Sequence, residues 1–104
     1  MADLNFRVVL NNDAIRKLSG GDDIIRALEV AGGIGELSAK EHAPVDTGNL
    51  RRSITHEVTV RGDNPFVRIG TNVEYGLFQE VGTVHHPAHP FLRPAMEAIR
   101  RAIK

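Results

Sequence analysis

The chain has no cysteine and no tryptophan, and its aromatics are one Tyr and four Phe among 104 residues. Without thiols there is no disulfide framework and no thiolate metal site, so packing or assembly must hold the fold together. No apolar run approaches the ~20 residues of a membrane helix. The first residues, Met1-Ala2-Asp3-Leu4-Asn5, lack the basic and apolar regions of a signal peptide. The expectation is a soluble chain with no membrane partner. Excess charge is missing too: thirteen Lys and Arg balance thirteen Asp and Glu. That balance argues against a dedicated or sequence-specific nucleic-acid binder held by phosphate neutralisation.

The charge that is present is unevenly placed. Residues 1–50 carry five Lys/Arg against eight Asp/Glu, a balance of −3, and residues 51–104 carry eight against five, a balance of +3. Opposite patches suit a subunit that meets its copies head to tail. They equally suit two solvated faces of a monomer. With no repeat, low-complexity tract or long linker, residues 1–104 read as a single domain with a modest core.

Periodicity supplies the elements. Phe6, Val8 and Leu10 alternate as a short opening strand. Asn11-Asn12-Asp13 can cap a brief helix from Ala14 to Leu18 that stops at Gly20-Gly21. Asp22 or Asp23 caps a longer helix reaching about His42, with Ile24, Leu28, Ala31, Ile34, Leu37 and Ser38 near helical spacing. Pro44 ends it, because the residue before a proline is driven out of the helical region. The weak stretch is Gly32-Gly33-Ile34-Gly35, each glycine costing ~1 kcal/mol relative to alanine. A kink there is one outcome; a small face that lets another backbone approach is the other. A phosphate-cradling loop is the poorer reading, since Glu36-Leu37 stands where Gly-Lys-Ser/Thr would complete a Walker pattern.

Ile54, His56, Val58 and Val60 form one face of a half-buried strand; Gly62-Asp63-Asn64-Pro65 turns the chain, and Phe66 to Gly70 returns antiparallel. Val73 to Val81 reads as a short helix with Tyr75, Phe78 and Val81 inward, ended by Gly82. Tyr75 and Phe78 on one face suggest a core anchor rather than an exposed contact. Thr83 to His89 is a loop. From Phe91 onward, Leu92, Ala95, Met96, Ile99 and Ile103 share a face of a closing helix, with Pro94 tolerated in its first turn. The fold class is α+β: a small antiparallel sheet packed against one long helix and a C-terminal helix.

Two segments invite a chemical reading. Asp46-Thr47-Gly48 is the triplet of aspartic proteases, and a retroviral-type enzyme of about this length pairs two such triplets in a homodimer so that two carboxylates share a proton. That fold is nearly all strand and presents its triplet after an apolar strand, whereas Asp46 follows a helical pattern and Pro44. As a turn, each residue has a role: Asp46 and Thr47 accept from N–H groups just ahead, Gly48 takes a positive φ, and Leu50 and Ile54 anchor the chain entering the sheet. His85-His86-Pro87-Ala88-His89 places three imidazoles close together, but no further ligand follows and Pro87 and Pro90 hold the segment extended. An interface loop suits it better than a metal. Ser19, Ser38 and Ser53 lack a nucleophile elbow. The expectations are no enzyme, no cofactor and no metal.

Three blocks remain: Ala43-Pro44-Val45-Asp46-Thr47-Gly48-Asn49-Leu50-Arg51-Arg52-Ser53-Ile54, Glu74-Tyr75-Gly76-Leu77-Phe78-Gln79-Glu80-Val81-Gly82-Thr83, and His89-Pro90-Phe91-Leu92-Arg93-Pro94-Ala95. In this order they resemble the tail-completion, head-tail joining (neck) proteins of long-tailed bacteriophages, over roughly Ala39 to Arg101. Gly76 and Val81 stand where that family is expected to carry alanine and an aromatic. The resemblance implies a minor tail protein forming a ring, sixfold to match the tube, at the head-proximal end of the tail tube. Its partners would be copies of itself (a hexameric ring in the virion, a monomer in isolation), the tail tube protein and the head-tail connector protein. Its location would be the virion neck, after assembly in the host cytoplasm. Motif residues would be Pro44, Asp46, Thr47, Gly48, Leu50, Tyr75, Phe78, Gly82, Pro90, Phe91 and Pro94. Contacts would fall to Arg51, Arg52, the hairpin tip Asp63-Asn64, and His85, His86 and His89, because loops and tips carry recognition. The alternative is the homodimeric protease acting through Asp46-Thr47-Gly48.

Overall fold

The computed structural model describes residues 4–44, 48–62, 64–85 and 87–104, and the side chain of Tyr75 lies outside that set. Along the chain run β1 (Leu4–Val8), α1 (Asn12–Ser19), α2 (Ile24–His42), α3 (Asn49–Ser53), β2 (Thr55–Thr59), β3 (Phe66–Thr71), α4 (Tyr75–Val81) and α5 (Leu92–Ile103). The architecture is α+β, with α2 packed on a three-stranded antiparallel sheet of order β1-β3-β2 and α5 packed along α2, its Ile99 in one cluster with Val67 and Ile69 of the sheet.

Capping sets the helix starts. Asn11 Oδ1 accepts the Ala14 N–H at 2.8 Å and Asp23 Oδ1 accepts the Arg26 N–H at 3.0 Å, each satisfying a donor with no partner inside the helix. α2 then runs unbroken through Gly32-Gly33-Ile34-Gly35 to His42, and Ala43 turns extended (φ −72°, ψ 137°) ahead of Pro44. Packing explains the absence of a kink. A Cβ at Gly32 would stand 2.7 Å from His56 Cγ and 2.8 Å from Val67 Cγ2, and one at Gly35 would stand 2.6 Å from Ile69 Cδ1. Side chains of the sheet fill the notch, not a second backbone. The buried stripe runs through Ala31, Gly35, Ser38 and Ala39, which turns Leu37, expected inward, to solvent at 61% exposure.

β3 is central, and its register pairs Phe6 with Ile69 and Ile69 with His56, then Val8 with Val67 and Val67 with Val58. These residues face the helices. The alternate positions Asn5, Arg7, Arg68, Thr55 and Glu57 lie on the opposite face, as the two-residue period of a strand requires. Two apolar clusters result. One joins Leu28, Ala31, Val67, Ile69 and Ile99 to α1 through Ala14 and Ile15; the other gathers Ala39, Leu50, Ile54, Leu92 and Ala95 around Phe91. Phe91 is wholly buried, a burial worth about 1.5–3 kcal/mol.

α3 was not anticipated by the hydrophobic pattern. Gly48, at φ 75°, precedes it, and the Arg52 N–H donates to the Gly48 carbonyl at 3.0 Å. The Ser53 hydroxyl donates to the Leu50 carbonyl at 2.6 Å and also pairs with the Thr71 hydroxyl, which in turn accepts the Val73 N–H at 3.1 Å. Ser53 thus ties the short helix to the end of β3. Asp46, Thr47, Asp63 and His86 lie outside the described residues.

Candidate assembly surface

α4 meets the body of the domain through a glycine. A Cβ at Gly76 would approach Thr71 Cγ2 to 2.8 Å and Leu50 Cδ1 to 3.3 Å, so the alanine expected there would require a shift. Close seating brings Glu80 to the start of α5. Its Oε1 accepts the N–H groups of Phe91 at 2.9 Å and Leu92 at 2.8 Å, and its Oε2 accepts that of Arg93 at 3.2 Å. One carboxylate from another helix therefore supplies the N-terminal cap of α5, with its charge at the favourable end of the peptide dipoles. A backbone bond from the His89 N–H to the Gln79 carbonyl at 2.7 Å closes the intervening loop.

With Gly76 and Glu80 committed inward, Leu77, Phe78 and Val81 face out, Phe78 exposed by 54% and Val81 by 63%, and Val84 beyond them by 97%. This corrects the expectation that Phe78 and Val81 anchor the core. The seat is taken by a glycine in contact with Phe91, and a residue two positions further along a helix points about 200° away. Phe78 instead lines a cleft with His42, Pro44, Gln79, Thr83, Pro87 and His89. Exposed apolar side chains grouped on one element mark interaction surfaces more often than scattered ones do.

The other residues expected to make contacts lie on separate elements. Arg51 and Arg52 are exposed on α3; Arg51 Nε donates to the Lys40 carbonyl at 3.0 Å, capping the end of α2, and Arg52 Nη2 donates to Asn49 Oδ1 at 2.6 Å. Asn64 is exposed beside the hairpin turn, and His85 and His89 are exposed in the loop ahead of α5, at whose start Pro90, Phe91 and Pro94 lie. Among the described residues no group of three His, Cys, Asp or Glu is placed to hold a metal ion.

One charged cluster was missed in the sequence. His56 Nδ1 lies 3.0 Å from Glu36 Oε1 and its Nε2 lies 3.2 Å from Glu29 Oε2, while Lys40 Nζ approaches Glu36 Oε2 at 3.2 Å. Burial disfavours the imidazolium, but hydrogen bonds to both carboxylates outweigh it, and the His56 pKa is raised. For Glu36 burial acts upward and is outweighed by bonds from His56 and Lys40, so its pKa is lowered. The available signal was Glu29 and Glu36 seven residues apart, hence on one helical face, opposite a histidine at an inward strand position.

A small α+β domain with an apolar helix face turned to solvent has the character of an assembly subunit. The chain belongs to the family described as "Bacteriophage HK97-gp10, putative tail-component", whose model matches residues 12–82, and it is thus a bacteriophage tail component with its place in the virion. The matched stretch takes in the Pro44 block and the Tyr75 block as far as Gly82, and ends before the Pro90 block. No curated protein and no solved structure matches the chain. No described helix is long and apolar enough to cross a membrane.

Proposed function

We propose that the chain forms a ring, sixfold to match the tube, at the head-proximal end of the tail tube, where it completes the tail and joins it to the head connector. The observation that carries this reading is the apolar surface of Leu77, Phe78 and Val81, presented on a helix that Gly76 and Glu80 fix to the core, with Val84 just beyond it. Such a surface is stabilised when a partner covers it. In this reading the tail tube protein, the connector and further copies are the partners, and Arg51, Arg52, Asp63, Asn64, His85, His86 and His89 contribute contacts at the rim of the joint. The mechanism is surface complementarity without catalysis. The protease alternative gains no support: the described sheet has three strands among a majority of helix, and the family is one of tail components.

Electron microscopy of lysates from a phage lacking this gene, beside a complemented control, tests the proposal. Filled heads accumulating next to unjoined or overlong tails are the expected result. Intact virions would remove the joining role, and unprocessed heads would point to proteolysis instead.

A further inference from the structure

The sheet ends in two open edges. β3 is paired on both sides, whereas among the described residues β1 and β2 are each paired on one side only. The outward N–H and C=O groups of such strands are a template for another strand. Both edge strands run antiparallel to β3, hence parallel to each other. β2 of one copy can therefore lie beside β1 of the next as a parallel pair, with the helix-covered faces on the same side. Repeated in one sense, this contact is heterologous and closes into a ring when the rotation permits.

Charge distinguishes the two edges. Across the outer face Arg7 stands opposite Arg68, and Arg68 opposite Glu57. Arg68 Nη2 donates to Glu57 Oε1 at 3.0 Å. Arg7 has no carboxylate among the described residues; its guanidinium lies over the Phe66 ring at 4.7 Å. The row thus begins with an unpaired cation at the β1 edge and ends with a carboxylate at the β2 edge. The helix charges beside these strands are matched within the chain, Arg100 by Glu97 and the Glu29 and Glu36 carboxylates by His56 and Lys40. The complementarity of the two edges therefore rests on Arg7 and Glu57.

We propose that successive copies join by adding β2 of one to β1 of the next, with Glu57 beside Arg7 of the neighbouring copy. This rests on the ring reading above and specifies its seam.

Charge exchange tests it in phage complementation. Arg7→Glu leaves Arg68 flanked by carboxylates within the chain but sets like charges across the seam, and joined particles should fall about tenfold or more. Adding Glu57→Arg restores opposite signs across the seam while Arg68 keeps a carboxylate neighbour, and should recover joining. A second measurement uses Arg7→Cys with Glu57→Cys in a chain that has no other cysteine. Within one chain the two positions are separated by β3, about 10 Å apart, beyond the ~7 Å Cα reach of a disulfide. Oxidation of purified particles should give a covalent ladder beyond the dimer. Joined particles with no ladder, a ladder that stops at dimer, or an Arg7→Glu variant that joins normally would overturn the seam while leaving the ring intact. Wild-type particles without a ring of this chain would overturn both.

Discussion

Three glycines of α2 sit within four residues of one another and should respond to alanine in opposite directions. Alanine is favoured over glycine in a helix interior by about 0.8–1 kcal/mol. At Gly33 a Cβ meets nothing within 4 Å, so Gly33→Ala should realise that gain in full. At Gly32 the same atom meets His56 Cγ at 2.7 Å and the fully buried Val67 Cγ2 at 2.8 Å. Overpacking of this kind costs about 1–3 kcal/mol, and moving His56 also disturbs its bonds to Glu29 and Glu36. Together these outweigh the propensity gain of about 1 kcal/mol, leaving a net loss of up to about 2 kcal/mol. Gly35 lies between: its nearest neighbours, Ile69 Cδ1 at 2.6 Å and Ile99 Cδ1 at 3.0 Å, are ends of flexible side chains, and the two effects should nearly cancel. In a domain of this size 1 kcal/mol moves Tm by about 4–8 °C. Calorimetry of the purified chain should place Gly33→Ala above the wild type, Gly35→Ala near it and Gly32→Ala below. If Gly32→Ala rose together with Gly33→Ala, the sheet would not be seated on α2 as described.

Glu80→Ala removes three bonds at the start of α5 and should cost about 2 kcal/mol, the upper end for a lost cap, while Glu80→Gln, which keeps an acceptor oxygen, should cost less; equal melting temperatures for all three chains would refute the capping role. The raised pKa of His56 means its contribution is fully present below its ordinary value of 6.5 and lost as pH rises through the folded value. The lowered pKa of Glu36 means its contribution is fully present above 4.5 and lost as pH falls through its folded value. Denaturant midpoints should therefore contain a component that is greatest between those limits, and His56→Gln should weaken its alkaline decline. Phe78→Ser changes an exposed side chain and should shift stability by no more than about 0.5 kcal/mol, yet lower the yield of joined particles in complementation.

Local signals made much of the fold legible. Asn11 and Asp23 are strong caps, Pro44 a strong stop, and Gly62 to Pro65 a turn between alternating segments, so the helices and the hairpin fall where these residues place them. The placement of β1 beside β3, with β2 on the other side, depends on long-range pairing that no local pattern encodes. Phe78 and Val81 turn outward, against the sequence pattern, for a related reason. Tyr75, Phe78 and Val81 have the spacing of a buried stripe, but the contact that seats α4 is made by Gly76, which a hydrophobicity pattern counts as neutral. Glu80 carries no local signal of its capping role, because the backbone groups it serves lie more than ten residues away. The partners of His56 are more distant still, 20 residues away at Glu36 and 27 at Glu29.

Glu80 also determines how far residues 82–90 are free to vary. Both ends of that segment are pinned independently of its course, by the carboxylate at the start of α5 and by the bond between the His89 N–H and the Gln79 carbonyl. Lengthening a loop whose ends are already held together costs only about 0.6 kcal/mol for each doubling. An insertion between Gly82 and Ala88 should therefore leave the core contacts in place while displacing Val84 and His85 at the margin of the exposed α4 face, so that folding and joining are separated in one variant.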